Sequence, residues 1–296
     1  MSACYLMPQT GQVFRGYTVQ RALGSGAFGV VYRATQGRDE IATKISMDAR
    51  EAKNEIQCMQ HLNDAGISPK ILFEEHIGSM VIIGMDLTGP NLAYLCSNTA
   101  TGAFELQTMQ KVAFKMIECI ETLHTYKIIH RDVKMSNFVV TKPKHPNTEV
   151  TLQIIDFGLS LQYKDKNGNL LEDTSGKDFS KLRHCSASVA MGQAPTPKDD
   201  IIQSSYAMLC GSGMTVQSIF QKAPTDLLGW KKNLLRNPSS TVISKCDWLV
   251  PFLNTIAEQD DHLLEYDKLK ELVRGSDSEP EGLLHLKHMD GKTQLQ

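Results

Sequence analysis

The segment from His130 to Asn137 limits what this chain can fold into more than any other stretch. It sets the polar side chains His130, Arg131, Asp132, Lys134 and Asn137 between the apolar runs Ile128-Ile129 and Phe138-Val139-Val140. Burying such a cluster is costly unless its members bond to each other or to a ligand. The fold must therefore build a polar site between two apolar strands.

Three further segments stand in order around it. Leu23 to Tyr32, LGSGAFGVVY, contains Gly24, Gly26 and Gly29, and Val30, Val31 and Tyr32 then continue as a strand. A dinucleotide-binding turn leads from strand into helix, with an acidic residue about 20 positions later, so these glycines read instead as a turn between two strands with Phe28 at its tip. Lys44 follows fifteen positions after Gly29, in the alternating run EIATKIS. It needs a carboxylate to hold it: Glu55 on the following helix is the expected partner, with Glu51 one turn earlier as the alternative. Finally, Ile154-Ile155-Asp156-Phe157-Gly158 reads as a buried strand ending in a carboxylate.

These groups match the needs of one reaction. Phosphoryl transfer from a nucleotide asks mainly for positioning and charge neutralisation. Backbone amides of a Gly-rich turn (Leu23, Gly24, Ser25, Gly26, Ala27, Phe28, Gly29, Val30, Val31) can approach phosphates, and Lys44, held by Glu55, can pair with them. Asn137 and Asp156 are oxygen donors for magnesium. Asp132 is placed to act as the base on an attacking hydroxyl, and Lys134 to meet the γ-phosphate.

Composition excludes several alternatives. The chain has 296 residues, 41% of them hydrophobic, enough for one large core or two modest ones. Its formal net charge of -2 provides no field favouring nucleic acid or an anionic membrane. Seven cysteines lie scattered without a metal-binding or disulfide pattern, and read as small buried apolar residues of a reducing compartment. The first residues lack a basic segment followed by an apolar one, and no run reaches the ~18 to 20 apolar residues of a spanning helix. A cytoplasmic or nuclear location is expected, with neither membrane nor direct nucleic-acid contact.

Short β-like runs fill the stretch from Gly16 to about Met85, interrupted by one helical stretch from about Ala49 to Asn63. After Gly89-Pro90 the windows become helical, most clearly Leu106 to Thr125, where Met109, Val112, Ala113, Met116, Ile117, Ile120 and Leu123 follow helical spacing. The expected fold is α+β: a small antiparallel β-rich lobe with one helix (17–85), a connection (86–89) and a larger, mainly helical lobe (90–274). Residues 1–16 form an N-terminal extension. The polar residues 275–296 are expected to be a mobile tail. Trp230 and Trp248 read as core anchors.

Taken together, these motifs resemble those of the eukaryotic protein kinases over roughly Tyr17 to Arg274. Met85 to Leu92 (MDLTGPNL), HRDVKMSNF and IDFGLSLQY are similar to the casein kinase 1 superfamily, which includes the vaccinia-related and tau-tubulin kinases. The resemblance implies a two-lobed kinase fold using ATP and Mg2+. It implies that Met85 is the gatekeeper of the adenine pocket, that Asp86 and Leu87 offer hinge backbone, and that Asp200 anchors the catalytic loop. Arg183 falls on the family's anion-binding arginine, implying protein substrates with Ser or Thr near acidic or phosphorylated residues, with Lys177 or Lys181 as helpers.

Two departures stand out. Met135 replaces the family's usual Pro, and Ser180-Lys181 replaces a Gly-Thr whose hydroxyl bonds the catalytic carboxylate. Two functions follow as expectations: an active serine/threonine kinase, or a weak pseudokinase acting as an ATP-binding scaffold. Lys134 two residues after Asp132 disfavours a tyrosine kinase. Arg131 beside Asp132 raises control by phosphorylation, with Thr174, Ser175, Ser180, Ser186 and Ser188 as candidate positions.

Overall fold

The computed structural model describes residues 10–26, 29–143, 145, 148–173, 176–215, 219–275, 284–289 and 292–296. The chain divides into two compact units, one of residues 1–88 with 156–159, the other of residues 89–155 with 160–296.

Alternating apolar and polar residues build the first unit as a six-stranded antiparallel sheet. Its strands are β1 (Val13–Phe14), β2 (Tyr17–Gly26), β3 (Gly29–Gln36), β4 (Asp39–Ser46), β5 (Ile71–Ile77) and β6 (Met80–Asp86), in the order β1-β2-β3-β4-β6-β5. β1 lies within the expected N-terminal extension, where Phe14 joins the core. That core packs Phe14, Val19, Tyr32, Ile45 and Ile82 together. The β2–β3 ladder shifts register between Val19 and Gly24, the irregularity that sharpens the twist of a long hairpin. β4 lies between β3 and β6, and every residue from Ile41 to Ser46 is buried, so Lys44 is no solvated strand residue.

α1 (Ala49–His61) begins where the Asp48 carboxylate accepts from the backbone N–H groups of Arg50 and Glu51. Its buried face carries Ala52, Ile56 and Met59 at helical spacing, and Glu55 lies on that same face, 3% exposed. A carboxylate there requires a cationic partner.

The second unit is mainly helical: α2 (Leu92–Ser97), α3 (Leu106–Thr125), α4 (Ala187–Ala190), α5 (Pro197–Gly211), α6 (Pro224–Arg236), α7 (Val250–Glu258) and α8 (Tyr266–Val273). The α3 stripe expected from sequence is buried from Met109 to Leu123, each large apolar side chain contributing about 1.5–3 kcal/mol. α5 is buried on nearly all sides, including Asp199, Asp200, Gln203, Ser204 and Ser205. It starts at Thr196, whose N–H and hydroxyl both donate to Asp199 Oδ2, at 2.6 and 2.8 Å. Trp230 and Trp248 are half-buried, not fully enclosed anchors; Trp230 leans on Tyr206 with ring centroids 5.8 Å apart.

Short strands complete the unit. β7 (Ile128–Ile129) pairs with β11 (Leu161–Gln162), and β8 (Phe138–Val140) with β10 (Leu152–Ile154). The polar segment His130 to Asn137 is thus held between two paired strands. β9 (Thr148–Val150) pairs with β12 (Leu284–Met289), which pairs in turn with β13 (Lys292–Leu295). This corrects the expectation of a mobile tail: the described part of it is a hairpin that buries Leu284, Leu286 and Leu295. Leucines alternating with polar residues gave it one apolar face, and β9 supplied the missing partner.

Candidate active site

Within the first unit, Lys44 Nζ lies 2.9 and 2.7 Å from the two carboxylate oxygens of Glu55 and 2.7 Å from Asp156 Oδ1. Glu55 is therefore the partner among the two glutamates considered. Burial by itself would push the ammonium down, but the two carboxylates outweigh it and raise Lys44 above its ordinary value. Burial pushes the Glu55 carboxyl up, against the downward pull of Lys44. Asn54 Nδ2 donates to the carbonyls of Phe157 (3.0 Å) and Gly158 (3.3 Å), tying α1 to the Asp-Phe-Gly turn. Asp156 sits at φ 71°, a left-handed conformation that costs an L residue about 1–2 kcal/mol.

The glycine-rich turn joins β2 to β3. Leu23 to Gly26 are exposed and Gly29 to Val31 half-buried; Ala27 and Phe28 lie outside the described residues. Gly29, at φ +138°, passes so close to β4 that a Cβ there would stand 2.1 Å from the Ile45 carbonyl oxygen. Met85 is buried at the end of β6, Asp86 is exposed and Leu87 half-buried. The Asp86 N–H already donates to the Lys70 carbonyl at 3.0 Å.

The second unit holds the remaining groups. Asp132 is 2% exposed, and its Oδ2 accepts from Lys134 Nζ at 2.8 Å and from Asn137 Nδ2 at 3.0 Å. His184 Nε2 approaches its other oxygen, Oδ1, to 2.6 Å. Burial would push this carboxyl up, but His184 and Lys134 hold it well below the usual carboxylate range. It is an anion at any pH near neutrality. Asn137 also donates from Nδ2 to the Asp132 carbonyl at 2.9 Å, so its amide nitrogen faces Asp132 and its oxygen remains as a hard donor.

Helix α5 grips the backbone around Asp132. Asp200 accepts from the N–H groups of His130 (2.7 Å) and Arg131 (2.8 Å) and lies 3.0 Å from His124 Nε2. Gln203 Oε1 accepts from Val133 N at 2.6 Å, while its Nε2 donates to the Arg131 carbonyl at 3.3 Å. Arg131 is itself at φ 69°, so this grip holds a strained residue in place.

The Arg131 guanidinium pairs with Asp173, donates to the Ser160 carbonyl at 3.2 Å and stacks 4.2 Å from the centre of the Phe179 ring. Arg183, the expected anion site, donates from Nε and Nη2 to the carbonyls of Phe220 and Lys222. Lys181 extends into solvent with its side chain 81% exposed, 3.3 Å from Asp178. Thr174 and Ser175 lie outside the described residues.

Residues 17–179 match the family model described as "Protein kinase domain". The chain belongs to the protein kinase family. It is also similar to casein kinase I homolog 1 of Saccharomyces cerevisiae, 28% identical over 192 residues, which is 62% of this chain and 35% of that protein. The same identity and coverage hold for casein kinase I homolog RAG8 of Kluyveromyces lactis and casein kinase I homolog 2 of S. cerevisiae. The match thus spans about a third of each curated relative.

Several residues of this kinase domain were not found from sequence: His184, Asp173 and Gln203 as partners of the segment from His130 to Asn137. Gln203 left a trace, since a polar residue three positions after Asp200 on a helix buried on nearly all sides must bond to something inside. His184 and Asp173 left none, because their partners lie far away along the chain.

Proposed function

We propose that this chain is a serine/threonine protein kinase that transfers the γ-phosphate of Mg-ATP to hydroxyls of protein substrates. The observation that carries the reading is the setting of Asp132: a buried carboxylate with Oδ2 held by Lys134 and Asn137. A carboxylate fixed in this way can accept the hydrogen bond of an attacking hydroxyl and, as the oxygen–phosphorus bond forms, its proton. Lys134, whose ammonium is bound to the same oxygen, offsets charge on the transferred group. Lys44 serves the nucleotide phosphates, its ammonium aimed by Glu55.

In the first unit Asp156 offers a partly exposed carboxylate, and in the second Asn137 offers an amide oxygen freed by the turn of its nitrogen toward Asp132. Each is a hard oxygen donor of the kind magnesium takes, and magnesium would supply neutralisation of phosphate charge.

A preference for acidic or phospho-primed sites belongs to the same proposal. Arg183 spends two donors on backbone carbonyls and keeps Nη1 for an anion, and its side chain is exposed. A cytoplasmic or nuclear location is supported by the free thiols of all six described cysteines. A catalytically weak scaffold is favoured by one observation: Lys181 turns to solvent and provides no hydroxyl to Asp132.

Transfer of labelled phosphate from Mg-ATP to casein and to a phospho-primed acidic peptide tests the proposal. Native transfer abolished by both Asp132→Asn and Lys44→Met supports the kinase. Retained nucleotide binding with no transfer supports the scaffold. Loss of the primed-over-unprimed preference in Arg183→Ala supports the anion site.

A further inference from the structure

A carboxylate offers about four lone-pair positions, two on each oxygen. At Asp132 both positions on Oδ2 are used, by Lys134 and Asn137. The oxygen left to meet an acceptor hydroxyl is Oδ1, and the side chain beside it is His184, with Nε2 at 2.6 Å.

The loop that brings His184 there is anchored on both sides of it. Before it, Arg183 is fastened to the carbonyls of Phe220 and Lys222. After it, Cys185 is 1% exposed, takes its N–H to the Leu182 carbonyl at 3.0 Å, and has its sulfur 3.7 Å from the buried Lys231 ammonium. Ser186 then caps α4, accepting from Val189 N at 3.2 Å. The histidine between these anchors keeps its side chain 19% exposed, with one edge toward Asp132. Lys181, three positions earlier, points away and offers no alternative donor.

We propose that His184 is a positioning residue for phosphoryl transfer: its Nε2–H holds Asp132 Oδ1 on one lone pair and leaves the other for the acceptor hydroxyl. The inference rests on Asp132 being the catalytic base of the proposed kinase. Nε2 serves as donor in the tautomer protonated there and in the imidazolium alike. The contact is close but not aligned as a hydrogen bond, and alignment is what substrate binding would have to supply. His184 thereby meets the need left by the missing Thr hydroxyl with a donor from a different position of the same loop.

The test is steady-state phosphate transfer from Mg-ATP to casein by the native chain, His184→Ala, His184→Phe and His184→Asn, with Asp132→Asn as control. Nucleotide-induced thermal shifts report folding and ATP binding for each. The expected result is a fall in kcat of about ten- to hundredfold in the Ala and Phe variants, the usual worth of a hydrogen bond to a charged group. KM for ATP stays within about twofold, and the Asn variant, whose amide donates from a similar place, recovers most of kcat.

Phe restoring activity would show that the ring only packs, and equal loss in all three variants would rule out a donor role. An Ala variant with unchanged kcat, or with higher kcat and lower KM for casein, would likewise overturn the inference, the last by showing that His184 blocks the acceptor. Should Ala fail to fold, the comparison of Phe with Asn decides. A native chain that transfers no phosphate, or an Asp132→Asn control that transfers normally, overturns the kinase reading together with this inference. Native activity lost in Asp132→Asn but retained in His184→Ala and His184→Phe overturns this inference alone.

Discussion

Lys44 Nζ lies 2.7 Å from Glu55 Oε2 and 2.7 Å from Asp156 Oδ1, one buried ammonium holding two carboxylates from separate parts of the chain. Removing the cation leaves Glu55 buried and without its counter-charge. Lys44→Met is expected to lose phosphate transfer and about 3 kcal/mol of stability, the usual loss when one partner of a buried ion pair goes. In that variant Glu55 has a raised folded pKa, so its protonated form is favoured at low pH and stability falls as pH rises above its unfolded value. Denaturant melts should show a larger deficit at pH 8 than at pH 5.5. An equal deficit at both would mean that Glu55 is solvated after all.

Gly29 and Gly24 occupy the same motif but differ in what surrounds them. A Cβ at Gly29 would collide with the Ile45 carbonyl, and its φ of +138° strains any other residue, whereas a Cβ at Gly24 meets nothing within 4 Å. Gly29→Ala is expected to cost about 2 kcal/mol or more and to weaken nucleotide binding, while Gly24→Ala leaves stability within about 0.5 kcal/mol. Thermal shifts with and without Mg-ATP would separate the two.

Asp173 gives the Arg131 guanidinium a carboxylate partner from the chain itself. Stripping phosphate from the purified protein should therefore leave activity within about twofold, and Asp173→Ala should lower it about tenfold, the loss of a hydrogen bond to a charged group. A phosphatase-treated sample that loses its activity would show that Arg131 needs a phosphate in addition.

Lys231 is 2% exposed, and its ammonium lies 3.7 Å from the Cys185 sulfur. Burial pushes it down from its ordinary value. A lysine with a lowered folded pKa costs stability in full below that pKa, and the cost fades as pH rises toward 10.5. Lys231→Met, similar in shape but uncharged, is expected to raise stability by about 1–3 kcal/mol at pH 7, with the gain shrinking by pH 10. A variant less stable than the native chain at pH 7 would show that the ammonium has a compensating role.

The hairpin of β12 and β13 is held by leucines. Leu284 is 1% exposed and Leu286 4%. Leu284→Ala should cost about 2–5 kcal/mol, like other large-to-small changes in a core. A loss below about 0.5 kcal/mol in a urea melt would return these residues to the status of a tail.

Much of the site was legible because its signals are local. The strand run EIATKIS, the interval between Gly29 and Lys44, and the polar cluster from His130 to Asn137 between apolar flanks are all patterns over a few residues. Each carries its meaning without knowledge of what lies opposite. The α3 stripe from Met109 to Leu123 is legible for the same reason, since a helix repeats its core face every three or four residues. α5 was harder: buried on nearly all sides, it shows no stripe, and its polar residues look like surface until the backbone of His130 to Val133 is seen bonded to Asp200 and Gln203.

The sequence by itself determined which chemical groups the chain has and in what local order: a glycine turn between strands, a lysine, a carboxylate set in a polar cluster between apolar flanks, and an asparagine and an aspartate that follow it. These follow from nearest-neighbour sterics and from the cost of burying unpaired polar groups. Only the tertiary structure decided which distant groups meet: His184 on Asp132, Asp173 on Arg131, and β9 beside the C-terminal hairpin. Such pairings depend on the packing of the whole core, because the energy of a contact between residues dozens of positions apart is repaid only after the intervening chain has been ordered.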